Sequence, residues 1–565
     1  MNDGISVTHR RRLPWSAREA IWVILLLTLA PITGWCQSAP ELLRQTVENA
    51  HDSGELEIAG SQLIAVDFLA RFYEGRRFEL AWTDPSNVET VLHALAASGQ
   101  HGLSPDDFHV EAIRLLREQK TKQPNDALIS TDLDLLLTDG MVAYVYQLVY
   151  GKVDPAALTA SWNLKRPLLK RAPEDVLQDA LSVGSLAELL KSLAPSFPYY
   201  QHMQDQLESY RQIANAGGWP SVPTGPTLRP GDIDPRVAAV RARLAAEFGD
   251  KPAASTNENA FDAALEQSVR RFQKHYALDV DGAVGPKTLR IMNITAAQRV
   301  DQIRVNMERA RWVREEATEA ENFVHVNIAG FYVRHFEDRA STWETRAIVG
   351  AKYHKTPIFA AHMKYIVFNP TWTVPRSIIR KEMLPKMKAD PGYLPSRNFD
   401  LVDRSGRKVD LASVDWAKVS ANNFPYNVVQ RPGPRNALGQ VKFIFPNSHS
   451  VYLHDTPGRQ LFDRSERTFS HGCIRTKNPL DLAERLLADQ PKWTRQAIDR
   501  TIEGGKTTTV HLTKPLRVFL LYWTAEPDEE GGVRFYEDAY DRDPAVLAAL
   551  DSPFRPDKKA VVATE

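Results

Sequence analysis

The chain has 565 residues, with 70 Lys and Arg against 70 Asp and Glu, and 43% of its residues are hydrophobic. One hydrophobic core rarely supports such a length, so we expect the chain to fold as three or four units. The balanced charge lacks the basic excess that is typical of nucleic-acid binding, and we expect no nucleic-acid partner.

The amino-terminal segment has the layout of an export signal. His9 and the arginines at 10–12 precede an apolar run at 21–30, and small or polar residues follow at 34–39. The run is short for a membrane-spanning helix, which favours an export signal over a permanent anchor. We therefore assign residues 1–38 to a signal peptide or anchor and expect a periplasmic protein. Any membrane contact would be through this segment, if it is not cleaved.

The chain contains two cysteines, Cys36 and Cys473. Cleavage after Cys36 would leave Cys473 as a single thiol, which could not form an internal disulfide. An unpaired thiol in an oxidising compartment indicates reactivity, whereas composition alone also allows a buried cysteine that acts as a small hydrophobe. The sequence around Cys473 has to decide between these two interpretations.

The first half of the chain has a helical pattern. Apolar residues recur at spacings of three and four through 40–218, most clearly at 133–150, and predict a helical scaffold domain. A cluster of glycines and prolines at 217–231 marks the end of this unit.

Residues 234–293 form the next predicted unit. Its helix at 261–276 places a set of apolar residues on one face: Leu265, Val269, Phe272 and Tyr276. Glycine turns then lead to Pro286, which can open a further helix. The segments 269–273, 278–282 and 284–289 resemble the small three-helix peptidoglycan-binding module, although a bundle of this kind could also be a spacer.

From residue 322 the period of the pattern changes to two, which predicts a β-rich region. Strands are predicted at 323–328, 331–336, 441–445, 450–453 and 516–523, with one helix at 479–487. The alternation fails between 378 and 439. A stretch of that length without periodicity favours a mobile lid. The predicted fold class is therefore α+β and multidomain.

The residues best suited to chemistry lie at 452–455 and 470–475. A thiol at its ordinary pKa is mostly protonated, so an attacking Cys473 needs a base beside it. His454 can accept the thiol proton and later return a proton to a leaving amine. Either residue alone would more often be structural, and it is their combination that indicates a catalytic pair.

This combination resembles the catalytic signature of the L,D-transpeptidase (YkuD-type) family, in which a histidine precedes Ser/Thr-His-Gly-Cys by about fifteen residues. Here the gap is fifteen residues, 455–469. With the segment 369–375 included, the resemblance covers 322–525, which we assign to the catalytic domain. The helical half looks like the scaffold of the large members that carry a lid.

The resemblance implies a role for each residue of the motif. Cys473 would be the nucleophile and His454 the proton donor and acceptor, oriented by the backbone carbonyl of Asp455, whose side chain receives no role. Gly472 lacks a side chain, so substrate could approach while the backbone N–H groups of Gly472 and Cys473 face a developing oxyanion.

Four further residues are candidate substrate contacts: His471, Arg475, Trp372 and Tyr452. Arg475 could pair with a substrate carboxylate, although local hydrogen bonding is an equal alternative for His471 and Arg475. The other histidines lack metal-ligand spacing, so we expect no metal site and no cofactor.

By resemblance, the enzyme would attack the third residue of a tetrapeptide stem, form a thioester on Cys473 and pass the acyl group to the amine of a second stem. Peptidoglycan stem peptides are the expected partners, and other cell-wall synthases are candidates. The alternatives are an L,D-carboxypeptidase, an enzyme that anchors a lipoprotein, or a non-catalytic wall-binding protein. The family also implies acylation by carbapenems.

Overall fold

The computed structural model describes residues 38–164, 171–249 and 257–555. The expected export signal, except for Ser38, lies outside these ranges, as does Cys36. Within them, no helix combines the length and the apolar character that a membrane crossing requires.

Helices dominate the first half of the described chain and strands the second. The helices are α1 (Ala39–Ser53), α2 (Val66–Gly75), α3 (Pro85–Ala96), α4 (Val110–Lys122), α5 (Ala127–Tyr150), α6 (Pro155–Leu158), α7 (Pro173–Val183), α8 (Leu186–Leu193), α9 (Pro198–Asn215), α10 (Arg236–Phe248), α11 (Ala263–His275), α12 (Pro286–Met292), α13 (Ala296–Trp312), α14 (Arg314–Glu319), α15 (Arg376–Ile378), α16 (Leu384–Ala389), α17 (Tyr393–Ser396), α18 (Pro479–Leu486), α19 (Arg495–Glu503) and α20 (Asp543–Asp551). The strands are β1 (Glu57–Ile58), β2 (Ser61–Gln62), β3 (Phe323–Asn327), β4 (Tyr332–Glu337), β5 (Ala340–Gly350), β6 (Phe359–Phe368), β7 (Trp372–Thr373), β8 (Phe399–Val402), β9 (Asn427–Gln430), β10 (Val441–Ile444), β11 (Leu453–His454), β12 (Thr468–Ser470), β13 (Ile474–Thr476), β14 (Thr508–Leu521), β15 (Ala525–Pro527) and β16 (Val533–Phe535).

The scaffold packs around α5, which is buried on most of its surface. Two buried carboxylates on α5 hold the surrounding chain. Asp134 accepts hydrogen bonds from the backbone N–H groups of Ala81 and Trp82, both at 2.9 Å. Asp139 accepts one from Ala65 at 2.7 Å. Because buried polar groups need partners, these bonds fix how the loops enter the core.

The predicted small helical unit is present as α10, α11 and α12. The apolar face predicted for the helix at 261–276, which is α11, is buried, since Leu265, Val269, Phe272 and Tyr276 all lie in the core. Pro286 opens α12, as its fixed φ favours.

Helix α13 connects this module to the rest of the molecule, packing against α9, α5 and α20. Its Arg311 and Glu308 are fully buried and form an ion pair at 2.5 Å. Arg311 also donates to the Tyr200 hydroxyl at 2.8 Å and to the His101 carbonyl at 2.9 Å. Glu308 accepts from the Val153 N–H at 2.7 Å. The pair therefore joins α13 to the scaffold.

Replacing Arg311 by methionine should lower the free energy of unfolding by about 3–5 kcal/mol, because it leaves the Glu308 carboxylate buried without its cation. Denaturant unfolding measures this. Arg114→Met, at an exposed arginine on α4, is the control and should change stability by less than about 0.5 kcal/mol. Equal stability of the two variants would contradict the role of the buried pair.

The carboxy-terminal half of the described chain is built on one closed sheet. Within the described residues, nine strands pair in the order β12-β5-β13-β11-β10-β6-β14-β3-β4, and an additional pairing of β4 with β5 closes the ring. The predicted pairing of the strands at 323–328 and 331–336 is confirmed, as β3 and β4 are antiparallel. The multidomain α+β prediction is confirmed, with a helical region followed by a β-rich domain.

The stretch between β6 and β10 differs from the prediction. We call residues 372–430 the insert. It contains α15–α17 and a small sheet of β7, β9 and β8. It has its own apolar core, which includes Met383, Leu384, Phe399 and Val428. The stretch 378–439, where the alternation fails, therefore contains short helices and strands, and its role as a lid stays a prediction. Its elements are too short to show periodicity, because each contributes at most two buried apolar residues to the core.

Candidate active site

Three adjacent strands bring the motif residues together. In the sheet, His454 of β11 lies opposite Arg475 of β13 on one side and opposite Lys442 of β10 on the other. Residues directly opposite each other in a sheet project from the same face. The Ile474 N–H bonds to the Tyr452 carbonyl at 3.1 Å, which aligns Tyr452 with Cys473. The sheet thus presents both motifs on one face.

The loop before β13 holds the nucleophile candidate in a fixed backbone. The Ser470 hydroxyl donates to the Cys473 carbonyl at 2.6 Å and accepts from the Gly472 N–H at 3.0 Å. The Thr356 hydroxyl donates to the Gly472 carbonyl at 2.9 Å. The Gly472 N–H is therefore already bonded, whereas the Cys473 N–H makes no hydrogen bond within the described residues. Of the two expected oxyanion donors, only that of Cys473 is open in this conformation.

Gly472 adopts a φ of 112°, in the region that favours glycine. An added Cβ would have room, as its nearest neighbour would be the His354 carbonyl oxygen at 3.8 Å. Backbone strain alone therefore requires glycine here.

Gly472→Ala should reduce stability by about 1–3 kcal/mol or shift the loop, because a side chain disfavours this φ. Thermal unfolding and the rate of Cys473 acylation measure the two effects. Gly504→Ala is the matched control, since Gly504 has a φ of −65° and is expected to tolerate alanine. A Gly472→Ala protein with wild-type stability and acylation rate would contradict this explanation.

His454 is buried and held by the chain directly after it. Its Nδ1 donates to the Asp455 backbone carbonyl at 2.5 Å. A carbonyl can only accept, so Nδ1 carries the proton and Nε2 of the neutral ring is left as a base. No hydrogen bond joins His454 to Cys473 within the described part of the chain. The Cys473 thiol instead donates to the Ser450 carbonyl at 3.7 Å.

Burial determines the resting charge of this pair. It lowers the pKa of His454 to about 3, and the nearby charges of Arg475 and Lys442 act in the same direction. Burial also raises the pKa of the Cys473 thiol, against the opposing effects of Tyr452 and Arg475. Both shifts favour the neutral forms, so the resting pair is a thiol beside a neutral imidazole at neutral pH.

The Asp455 side chain, for which the motif predicts no role, makes specific contacts. Its buried carboxylate accepts the Gln440 N–H at 2.9 Å and lies 3.3 Å from the Arg459 guanidinium. A Cβ on Gly439 would lie 2.2 Å from the Asp455 Oδ2. The Asp455 side chain therefore links the segment that follows the insert to the end of β11, where His454 lies.

Tyr452, Arg475 and Trp372 surround the thiol. The Tyr452 hydroxyl interacts with Cys473 and Trp372, and burial raises the pKa of Tyr452 above its usual range. Burial lowers the pKa of Arg475, against the effect of the nearby Cys473. The Arg475 Nε is buried and has no hydrogen-bond partner among the described residues. An unsatisfied donor in this position is suited to a substrate acceptor.

His471 points toward the insert. Its Nε2 lies 2.8 Å from the Glu382 carboxylate, and both side chains are about half exposed. Its ring also lies 5.0 Å from that of His354. This contact places the insert directly against the loop that carries Cys473.

Sequence reasoning missed three residues of this site: Lys442, Glu382 and Thr356. Lys442 lies in a strand-like run, and alternation alone does not show which residues of another strand it faces. Its position beside His454 could have been found only from the register in which the two strands pair. Glu382 and Thr356 reach the site from distant segments and carry no local signal. No group of His, Cys, Asp and Glu residues suited to a metal occurs in the described ranges.

Comparison with known families agrees with this geometry. Residues 321–511 match the model described as the L,D-transpeptidase catalytic domain. Residues 67–207 match the model described as the Scaffold domain, and residues 234–292 match the "Putative peptidoglycan binding domain". The resemblance stated from the motifs is confirmed, and the L,D-transpeptidase family implies an acyltransferase.

A curated relative from Haemophilus influenzae, named "Putative L,D-transpeptidase", is 38% identical over 222 residues. The aligned part covers 39% of this chain and 45% of the relative, so the chain spans less than half of that protein.

Two solved structures are also similar. An L,D-transpeptidase from Xylanimonas cellulosilytica is 15% identical, with 53% of this chain and 99% of that chain covered and a TM-score of 0.17. A fused Zn-dependent amidase/peptidase/peptidoglycan-binding domain-containing protein from Clostridium acetobutylicum is 12% identical, with 53% and 100% covered and a TM-score of 0.13. At TM-scores this low, the fold description depends on the chain's own elements.

Proposed function

We propose that this protein is a cysteine-dependent L,D-transpeptidase that cross-links third-position residues of peptidoglycan stem peptides. One observation carries the proposal. Within an L,D-transpeptidase catalytic domain, Cys473 lies on the same sheet face as His454, whose free Nε2 is fixed by the Nδ1 bond to Asp455. A thiol and a positioned base are the two groups that acyl transfer through a thioester requires.

In the first half of the reaction, the thiol leaves the Ser450 carbonyl and gives its proton to His454 Nε2 as the sulfur attacks the donor carbonyl. The C–N bond of the donor breaks, and His454 returns that proton to the leaving amine. The product is a thioester on Cys473. The Cys473 N–H, which is open in this conformation, is suited to the developing oxyanion.

In the second half, the side-chain amine of another stem attacks the thioester carbonyl. His454 accepts a proton from this amine, the C–S bond breaks, and the thiolate recovers its proton from His454. The new amide bond replaces the old one, so the reaction needs no nucleotide. His471, Arg475, Trp372 and Tyr452 are proposed to contact the substrate.

The insert is proposed to act as a lid. Its separate apolar core and its Glu382–His471 contact support a folded unit that closes over Cys473 as one body. The small helical module is proposed to hold peptidoglycan near the site, which fits an extracytoplasmic enzyme. An export signal, a periplasmic location and contacts with other cell-wall synthases remain parts of this proposal.

Incubation of the protein with disaccharide tetrapeptide, followed by mass identification of the products, tests this function. Cross-linked dimers are expected. Trimmed tripeptide alone would instead indicate an L,D-carboxypeptidase, and unchanged substrate would indicate a non-catalytic wall-binding protein.

A further inference from the structure

Among the residues that the structure describes, Lys442 is a cation of the candidate site without an anionic partner. It lies on β10 directly opposite His454 and is only partly exposed. Its ammonium makes no ion pair within the described residues, and its closest aromatic contact is the Tyr452 ring, with the centroid 5.9 Å away. Burial lowers the pKa of Lys442. A lysine that loses hydration without gaining a carboxylate is suited to an anionic ligand.

The order of side chains across the sheet indicates which part of a ligand Lys442 meets. Arg475, His454 and Lys442 follow one another on β13, β11 and β10. Neighbouring strands are separated by about 4.8 Å. Cys473 directly precedes β13, so the nucleophile lies on the same side of His454 as Arg475. Lys442 therefore lies on the far side of the base from the nucleophile.

The proposed reaction fixes where each atom of the donor must lie. The carbonyl carbon must meet the Cys473 sulfur, and the leaving nitrogen must meet His454. In a donor that ends one residue after the attacked bond, a single carbon separates this nitrogen from the terminal carboxylate, a distance of about 3 Å. A carboxylate beside His454 and away from Cys473 therefore comes within reach of Lys442.

We propose that Lys442 binds the free carboxylate of the residue that leaves, and thereby selects donors that end one residue after the attacked bond. This inference deepens the proposed function and rests on it. A longer donor would place a neutral amide at this position, which leaves the lysine unpaired and costs binding free energy. Arg475, on the side of the nucleophile, is left for the part of the donor that stays on the enzyme.

Binding to a Cys473→Ala protein tests the inference without turnover. The ligands are two stem tetrapeptides that differ only at the carboxyl terminus, one a free acid and the other a primary amide. The acid should bind at least about tenfold more tightly, since an ion pair is lost in the amide. When Lys442→Met is added to the Cys473→Ala protein, the affinity for the acid should fall to that for the amide. The affinity for the amide should stay unchanged.

Two further variants control for folding and for overall charge. Lys442→Arg keeps a cation and should keep the preference for the acid. Lys364→Met removes an exposed lysine from the neighbouring strand β6 and should also keep the preference. The inference would be overturned if the ratio of acid affinity to amide affinity stayed the same in the Lys442→Met variant. It would also be overturned if the acid did not bind at all. A wild-type protein that binds the acid selectively but transfers no acyl group would instead contradict only the proposed function.

Discussion

Replacing Cys473 by alanine should abolish both cross-linking and acylation by carbapenems, with a fall in kcat of roughly 10⁴-fold or more, because it removes the atom that forms the thioester. Nearby hydroxyls cannot substitute for it. The Ser470 hydroxyl already donates to the Cys473 carbonyl and accepts the Gly472 N–H. Product analysis by mass and the intact mass after carbapenem treatment measure the two losses.

The chain offers a matched control for this variant in its other cysteine. In protein produced with residues 1–38 retained, Cys36→Ala should still give one carbapenem adduct, whereas Cys473→Ala should give none. Cross-linking that survives in the Cys473→Ala protein, or an adduct on another residue, would rule out the proposed mechanism.

Replacing His454 by alanine should slow acylation by the stem donor about 10²–10⁴-fold, because the thiol loses its base and the leaving amine loses its acid. His449→Ala is the matched control. His449 lies five residues upstream on the surface, and its loss should leave the rate nearly unchanged. Single-turnover acylation of Cys473 measures both variants.

The pH dependence of thiol alkylation gives this prediction a second readout. The pKa of Cys473 is raised from 9.0 and that of His454 is lowered to about 3. Thiolate should therefore be scarce at neutral pH, and alkylation by iodoacetamide should fall about tenfold for each pH unit below the thiol pKa. Stem acylation should persist from pH 7 down to 5, because His454 stays neutral there.

Alkylation does not need a positioned acid or base, so His454→Ala should leave its pH profile almost unchanged. A plateau of alkylation between pH 4 and 7 that disappears in His454→Ala would instead show a resting thiolate–imidazolium pair. That result would contradict the neutral pair derived from burial.

Much of this protein could be predicted from local sequence, because the relevant signals lie within a few residues of each other. The helix that begins near Phe261 and the strands β3 and β4 follow from the spacing of apolar residues, and Pro286 opens α12 as expected. The spacing of His454 and Cys473, with fifteen residues between the histidine and the Ser-His-Gly-Cys motif, predicted the catalytic domain. The assignment of Asp455 as the residue that supplies a carbonyl also used only neighbouring positions.

The insert shows where local pattern fails. Its elements are short, and Val374 and Val428 join a common core although they are 54 positions apart in the chain. Periodicity arises when apolar residues recur along one element on the face that packs against the core. A unit built from very short elements has too few such residues to show it. The contact of Glu382 with His471 depends on how this unit docks and is invisible for the same reason.

The sequence by itself determined which side chains could perform the chemistry: a thiol at Cys473, an imidazole at His454 and the carbonyl after it. Only the tertiary structure decided their charge states, because burial depends on the closed sheet and the insert that surround the pair. It also decided that the Gly472 N–H is engaged by Ser470 and that Lys442 stands beside His454. These contacts depend on hydrogen bonds and strand register between residues that are far apart in the chain. No local sequence pattern predicts them.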